Sequence, residues 1–215
     1  LTVVVTGTER SSGTTTLASA MANRFAAAGQ HVVLVDADPR HPELTYLYAS
    51  TSPGIPALLA LGRRDGDHDR RGSAEPADPF SSVSVPGVRV VGIGSKSGAS
   101  SLRRQNVPDI VRVATQYAHV VVFDGGPLLD AASTVQLTQL CDAVVLAVPV
   151  KRQRVKALTA VVRQLQGRHA ELLTVSMPAG RKRGSSRSHD MPRTGPLVES
   201  STDAELQLAG FAQDR

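Results

Sequence analysis

Three acids and one run of hydroxyls mark where this chain could do chemistry. Asp36 and Asp38 stand one residue apart at the end of an apolar run, Val32-Val33-Leu34-Val35-Asp36-Ala37-Asp38-Pro39-Arg40. A second run, His119-Val120-Val121-Val122-Phe123, also ends in an acid, Asp124, followed by Gly125-Gly126-Pro127. Carboxylates at the ends of two buried strands suit a water-rich Mg²⁺ site bridged to phosphate. The third segment, Gly7-Thr8-Glu9-Arg10-Ser11-Ser12-Gly13-Thr14-Thr15-Thr16, follows the first apolar run and precedes a helical pattern. A small polar turn between strand and helix aims successive backbone N–H groups and a helix N-terminus at an anion. The phosphate-loop pattern places Lys after its last Gly, then Ser or Thr for the metal. Here Thr14 takes the lysine position and Thr15 the hydroxyl position, with Ser11 and Ser12 where glycine would let phosphate approach. Asp at a strand end can be only a turn former or a cap, and strand-to-helix turns are often rich in Gly, Ser and Thr. Those readings explain one segment well and all three together poorly.

Such residues need a frame that gathers the ends of several strands. Apolar, β-branched runs fall at 2–6, 32–36, 88–92, 119–124, 143–148 and 172–176. Most are continuous Val, Leu and Ile, the pattern of strands buried on both faces. Between them, 14–28, 108–117, 133–140 and 154–166 carry apolar residues three and four apart. Gly29 stands where a left-handed C-cap would close the first helix. The alternation predicts an α/β domain: a doubly wound, mostly parallel sheet with helices on both faces and right-handed crossovers. Ligands of such sheets bind at the carboxyl ends of the strands, where all three acids fall.

Composition narrows the class. The 215 residues carry 24 Lys and Arg against 19 Asp and Glu, a net charge of +5. With 3% aromatic residues and no Trp, a base-stacking surface for single-stranded nucleic acid is not expected. No run approaches the roughly 20 apolar residues of a membrane span, and Cys141 alone forms neither an internal disulfide nor a multi-Cys zinc site. These features predict a soluble, intracellular, globular domain. The chain opens at Leu1, directly in a strand, which predicts a segment upstream. Residues 63–79 mix both charge signs with Gly and Pro and read as a flexible loop. Residues 178–196 hold Arg181, Lys182, Arg183, Arg187 and Arg193 against Asp190, a net +4 that locates most of the excess charge. The division expected is a domain over 1–177 and a disordered basic tail over 178–215, with a short helix conceivable at 202–212. The six histidines show no metal-ligand spacing, and Cys141 reads as a small buried residue.

The motifs together resemble the cytoplasmic P-loop ATPase domain of bacterial tyrosine kinases and polysaccharide chain-length co-polymerases, within the deviant-Walker ATPases. VVLVDADPRHPELTYLY resembles the family's second Walker motif, with Asp36, Asp38, Arg40 and Pro42 in register. VVVFDGGPLLD resembles its Walker B motif, and CDAVVLAVPVKRQRVKAL the strand and basic helix that follow. The likeness spans about residues 1–176. It implies Mg²⁺ with ATP or ADP as cofactors. It implies backbone groups of Ser11, Ser12, Gly13 and Thr14, with Thr15 and Thr16, around the phosphates. It further implies Thr15, Asp36 and Asp124 at the metal, and Asp36 and Asp38 as the catalytic acids. The implied setting is the inner face of the cell membrane. The implied partner is a polysaccharide co-polymerase or other membrane anchor, in the same chain or a separate one, with a homo-oligomer and no nucleic acid.

Departures from the family pattern shape the functional expectation. Thr14 replaces the lysine that pairs with the β- and γ-phosphates. Gly126 stands where the family has proline, and Ser176-Met177 where it has the Asn that reads adenine. Tyr46, Tyr48 and Tyr117 are the only tyrosines, so the family's C-terminal tyrosine cluster is missing. The leading expectation is a degenerate, regulatory or scaffolding domain in capsular or exopolysaccharide synthesis and export, with weak or no ATP hydrolysis. The alternative is an active Mg-ATP-dependent tyrosine kinase or ATPase in which Arg10 or Lys151 supplies the charge. A partition or positioning ATPase ranks last, because Glu9 and Thr14 do not supply the paired lysines of such loops.

Overall fold

The computed structural model describes residues 1–64, 77–94, 98–150, 155–166 and 170–177. Its apolar runs form the strands β1 (Thr2–Gly7), β2 (Val32–Asp36), β3 (Ser81–Ser82), β4 (Val88–Val91), β5 (Val120–Pro127), β6 (Ala143–Pro149) and β7 (Glu171–Met177). They lie in one sheet in the order β3-β4-β2-β5-β1-β6-β7. Every pairing is parallel except β3 with β4. The doubly wound, mostly parallel α/β architecture read from the sequence is therefore the architecture found.

Alternate residues of the central strands feed two cores, as a period of two requires. Val3, Val5, Leu34 and Val122 pack with Ala18, Met21 and Ala22 of α1 (Thr14–Ala27) and Leu44 of α2 (Glu43–Tyr48). Val4, Val33, Val35, Val121 and Phe123 pack on the opposite face. Their partners come from α3 (Gly54–Arg64), α5 (Val107–Thr115), α6 (Ala132–Leu140) and α7 (Val155–Leu165). The short α4 (Gly98–Ser101) and a 3-10 turn at Arg104–Asn106 lead into α5. Phe123, Leu34 and Ile110 are fully buried, each contributing roughly 1.5–3 kcal/mol. Gly29 closes α1 as expected, with φ +80. Its N–H donates to Ala26 O, and the N–H of Gln30 donates to Phe25 O, the paired bonds of a Schellman cap.

The structure departs from the sequence reading at several points. α2 and α3 were not anticipated, because each is broken from its neighbours by prolines that mask the helical period. Arg63 and Arg64 end α3, so the expected loop over 63–79 starts later than its charge pattern implied; residues 65–76 lie outside the described residues. β7 is an edge strand and not a strand buried on both faces: Leu172 is 45% exposed. The expected tail over 178–215, its conceivable helix, and Lys151, Arg152 and Arg154 also lie outside the described residues. Cys141 is buried, as expected, and burial pushes its thiol up to about 12. Among the described residues no helix is long and apolar enough to cross a membrane.

Candidate functional site

The sheet order places β2, β5 and β1 side by side, so their carboxyl ends form one rim. Asp36 and Asp124 are cross-strand partners in register on β2 and β5. The N–H of Ala37 donates to Asp124 O at 2.9 Å and carries the chain past β5. On the other side the pairing of β1 and β5 shifts register between Val5 and Gly7. There Thr6 Oγ1 donates to Gly126 O at 2.7 Å and the N–H of Leu128 to Gly7 O at 3.0 Å. Buried strands thus end in polar backbone cross-links, and the three acids stand on that scaffold.

The acids differ in what holds them. Asp36 is fully buried; its Oδ2 accepts from both N–H and Oγ1 of Thr45, at 2.8 and 2.7 Å, and its Oδ1 from the N–H of Asp38 at 3.3 Å. Thr45 Oγ1 in turn accepts from the N–H of Ile93 at 2.8 Å, tying α2 to the segment after β4. Burial pushes the Asp36 carboxyl up to about 7; the Thr45 hydroxyl lowers it, and the Asp124 charge raises it further. Asp38 Oδ1 accepts from the N–H groups of Arg40 and His41 at 2.9 and 3.2 Å, a turn that leaves Oδ2 directed at Gly126. Asp124 is 2% exposed, and burial pushes its carboxyl up to about 7 as well. The nearby hydroxyls of Thr15 and, less strongly, Thr14 pull that carboxyl back down, while the negative charges of Asp38 and Glu43 push it up.

The loop from Gly7 to Gly13 is wound tightly. Ser12 is buried; its Oγ donates to Glu9 O at 2.5 Å and lies 3.2 Å from the N–H of Glu9, which donates to it. Ser11 adopts φ +59, the only non-glycine with positive φ among the described residues, a left-handed conformation costing about 1–2 kcal/mol. Gly13, with φ +85, starts α1, and its carbonyl accepts from the N–H of Leu17. A Cβ on Gly13 would meet Met177 Cε at 2.8 Å, so the last residue of β7 lies over the loop. Arg10, also in the loop, has its Nε 3.8 Å from Asp130 Oδ2 in the turn after β5.

The sequence-predicted site residues therefore divide. Thr14, Thr15, Asp36, Asp38 and Asp124 come together at the rim. Ser12 spends its hydroxyl inside the loop, Thr16 is exposed on the first turn of α1, and Ser11 and Gly13 offer backbone only. Sequence reasoning did not single out Thr45, whose one signal is its place in the first turn of the helix after the second Walker-like segment. It also missed Thr8, and Thr134, whose hydroxyl caps Gly125 O. Two of the buried side-chain atoms without a hydrogen-bond partner, Asp124 Oδ1 and Thr8 Oγ1, belong to this rim and the loop beside it. Among the described residues no three acids or histidines converge on one metal position. A buried carboxylate oxygen lacking a donor, near a threonine, nonetheless suits a hard cation that keeps several of its waters. The residues present thus fit Mg²⁺. Apart from Arg10, the loop offers a phosphate only backbone N–H groups and hydroxyls, and it holds no lysine.

No protein-family model and no curated protein matches the chain in sequence. Solved structures do match in shape. The chimerical protein CapA2B2 superposes with a TM-score of 0.66 at 18% identity, over 84% of this chain and 76% of that one. The kinase domain of the Escherichia coli tyrosine kinase ETK gives 0.62 at 17%, over 88% and 72%. Cobyrinic acid a,c-diamide synthase from Mycobacterium smegmatis, with bound ATP analog and magnesium, gives 0.59 at 16%, over 82% and 71%. At such identities the likeness is one of fold: this chain shares the P-loop α/β fold of bacterial tyrosine kinase domains.

Proposed function

We propose that this chain is a bacterial tyrosine-kinase-like domain that has kept its metal-binding acids and lost its phosphate-binding base. It binds Mg²⁺ with ATP or ADP weakly and turns ATP over little or not at all. It acts by contact, as a regulatory or scaffolding domain in capsular or exopolysaccharide synthesis and export. The observation that carries this reading is the pair Thr14 and Asp124: where the fold's phosphate loops carry a lysine, a neutral threonine stands beside the buried acid. Losing a charge-assisted phosphate contact costs on the order of 1.5–3 kcal/mol of binding. The cost to a transition state that accumulates charge is larger.

Asp124 and Thr15 would hold the metal, with Asp36 behind them, and the N–H groups of Ser11 to Thr14 would hold phosphate. When bound, Mg²⁺ supplies the positive charge that offsets three carboxylates and the incoming polyphosphate. Asp38, fixed by the N–H groups of Arg40 and His41, presents Oδ2 toward Gly126 as the remaining free carboxylate oxygen. The described part of residues 1–177 would be the domain, seated at the cytoplasmic face of the membrane. It would bind there to a membrane-anchored polysaccharide co-polymerase, an upstream segment of its own chain or a second copy of itself. Retention of all three acids favours a second reading, an active kinase or ATPase with a relocated basic residue.

Calorimetric titration with ATP and with ADP plus Mg²⁺, alongside a hydrolysis assay, separates the two. Weak Mg²⁺-dependent binding with negligible turnover is expected. Robust hydrolysis abolished by Asp36→Ala overturns the non-enzymatic reading.

A further inference from the structure

We infer that Arg10 is the cation with which this loop binds polyphosphate, and that Asp130 holds it in reserve. This rests on the nucleotide-site reading above and goes beyond it by assigning the missing charge. Arg10 is the only cation between Gly7 and Thr16, and no lysine occurs there. Its guanidinium is occupied in this structure by Asp130, at 3.8 Å. The two residues stand on loops that follow neighbouring strands. Arg10 rises from the loop after β1, and Asp130 closes the turn after β5, its N–H donating to Pro127 O at 3.0 Å. The two loops are joined at their base strands by the bond from the N–H of Leu128 to Gly7 O. The ion pair therefore bridges the loop after β1 to the turn that follows Asp124 on β5.

The pair is weak by its own geometry. Both side chains are well exposed, 57% and 38%, and a single long contact in water binds little. An incoming phosphate with more charge and three acceptor oxygens offers the guanidinium a better partner, bidentate where one carboxylate oxygen now serves. The latch thus yields Arg10 only to a ligand that binds the guanidinium better than one carboxylate oxygen does. A nucleoside diphosphate or triphosphate, with several phosphate oxygens, is the class of ligand it selects.

A double-mutant cycle on the full chain tests this, with Mg-ADP and Mg-ATP titrated calorimetrically at low and high salt. Asp130→Asn is expected to tighten binding about two- to fivefold, the worth of an exposed ion pair. Arg10→Gln is expected to weaken it about tenfold. In the Arg10→Gln background, Asp130→Asn should then change nothing. An equal gain from Asp130→Asn in both backgrounds overturns the latch, because it would mark a general field effect. Binding that ignores both substitutions overturns Arg10 as the phosphate cation while leaving the nucleotide site standing. Absence of binding in every variant, including one with Thr14→Lys, overturns the nucleotide site itself and the latch with it.

Discussion

The carboxyl group of Asp38 rests on the backbone of Gly126: a Cβ built there would stand 2.7 Å from Asp38 Cγ. Gly126 also holds φ +58, which a proline ring locked near −65° cannot adopt. The glycine found where the resemblance predicts proline is therefore a requirement of this turn. It lets β5 end against the acid from the neighbouring segment.

The first prediction concerns that contact. Gly126→Ala should destabilise the fold by about 2–3 kcal/mol, combining left-handed strain with displacement of Asp38. Gly126→Pro should prevent folding. Urea unfolding measures both, and an alanine variant as stable as the parent would mean that the turn relaxes freely and that Asp38 is not held by it.

The second concerns the loop. Thr14→Lys should tighten Mg-ATP binding by about ten- to a hundredfold, the value of one charge-assisted contact. The new ammonium would stand near Asp124, whose carboxyl the neighbouring Thr14 already lowers. Residue 14 lies close against Gly7, where an added Cβ would stand 3.1 Å from Thr14 Cγ2. A calorimetric titration showing no gain would mean that the loop no longer cradles phosphate.

What the sequence disclosed follows from the physics of buried strands. A strand covered on both faces must be continuous Val, Leu and Ile, so β1, β2, β5 and β6 could be read directly, and with them the positions of Asp36 and Asp124 at the rim. The edge strand β7 hid behind the same composition, because an apolar residue on an edge looks no different from one in a core. α2 is one short turn and a half after Pro42, too brief for a helical period to declare itself. Thr45 lies on it, so the residue that grips Asp36 was invisible until the chain folded back. Contacts between distant loops, Arg10 with Asp130 and Met177 over Gly13, depend on which strands become neighbours. No local pattern encodes that.

The third prediction follows from Thr45. Its hydroxyl both donates to Asp36 and accepts from the N–H of Ile93, and all three groups are buried. Thr45→Ala leaves a buried N–H without an acceptor and a carboxylate short of one donor, a cost of about 2–4 kcal/mol. Thr45→Ser restores both bonds and should recover most of it. Urea midpoints rank the three proteins; if serine is no better than alanine, the threonine methyl and not its hydroxyl holds the junction.

The fourth prediction is a pH dependence whose sign is fixed by burial. Asp36 and Asp124 titrate near 7 in the folded chain against an ordinary 3.8, so the folded state holds protons that the unfolded state has released. Stability is then full below about pH 4 and is lost as the pH rises toward 7. Asp124→Asn keeps the shape of the side chain and removes one of the two charges. Compared with the parent, it should gain on the order of a few kcal/mol in unfolding free energy between pH 4 and pH 8. Added Mg²⁺ should stabilise the parent at pH 8 and leave the variant nearly unmoved, because Asp124 Oδ1 is the oxygen without a partner. Thermal melts across that range check both statements. A difference between the two proteins that does not change with pH would show that Asp124 is already ionised and satisfied in the fold.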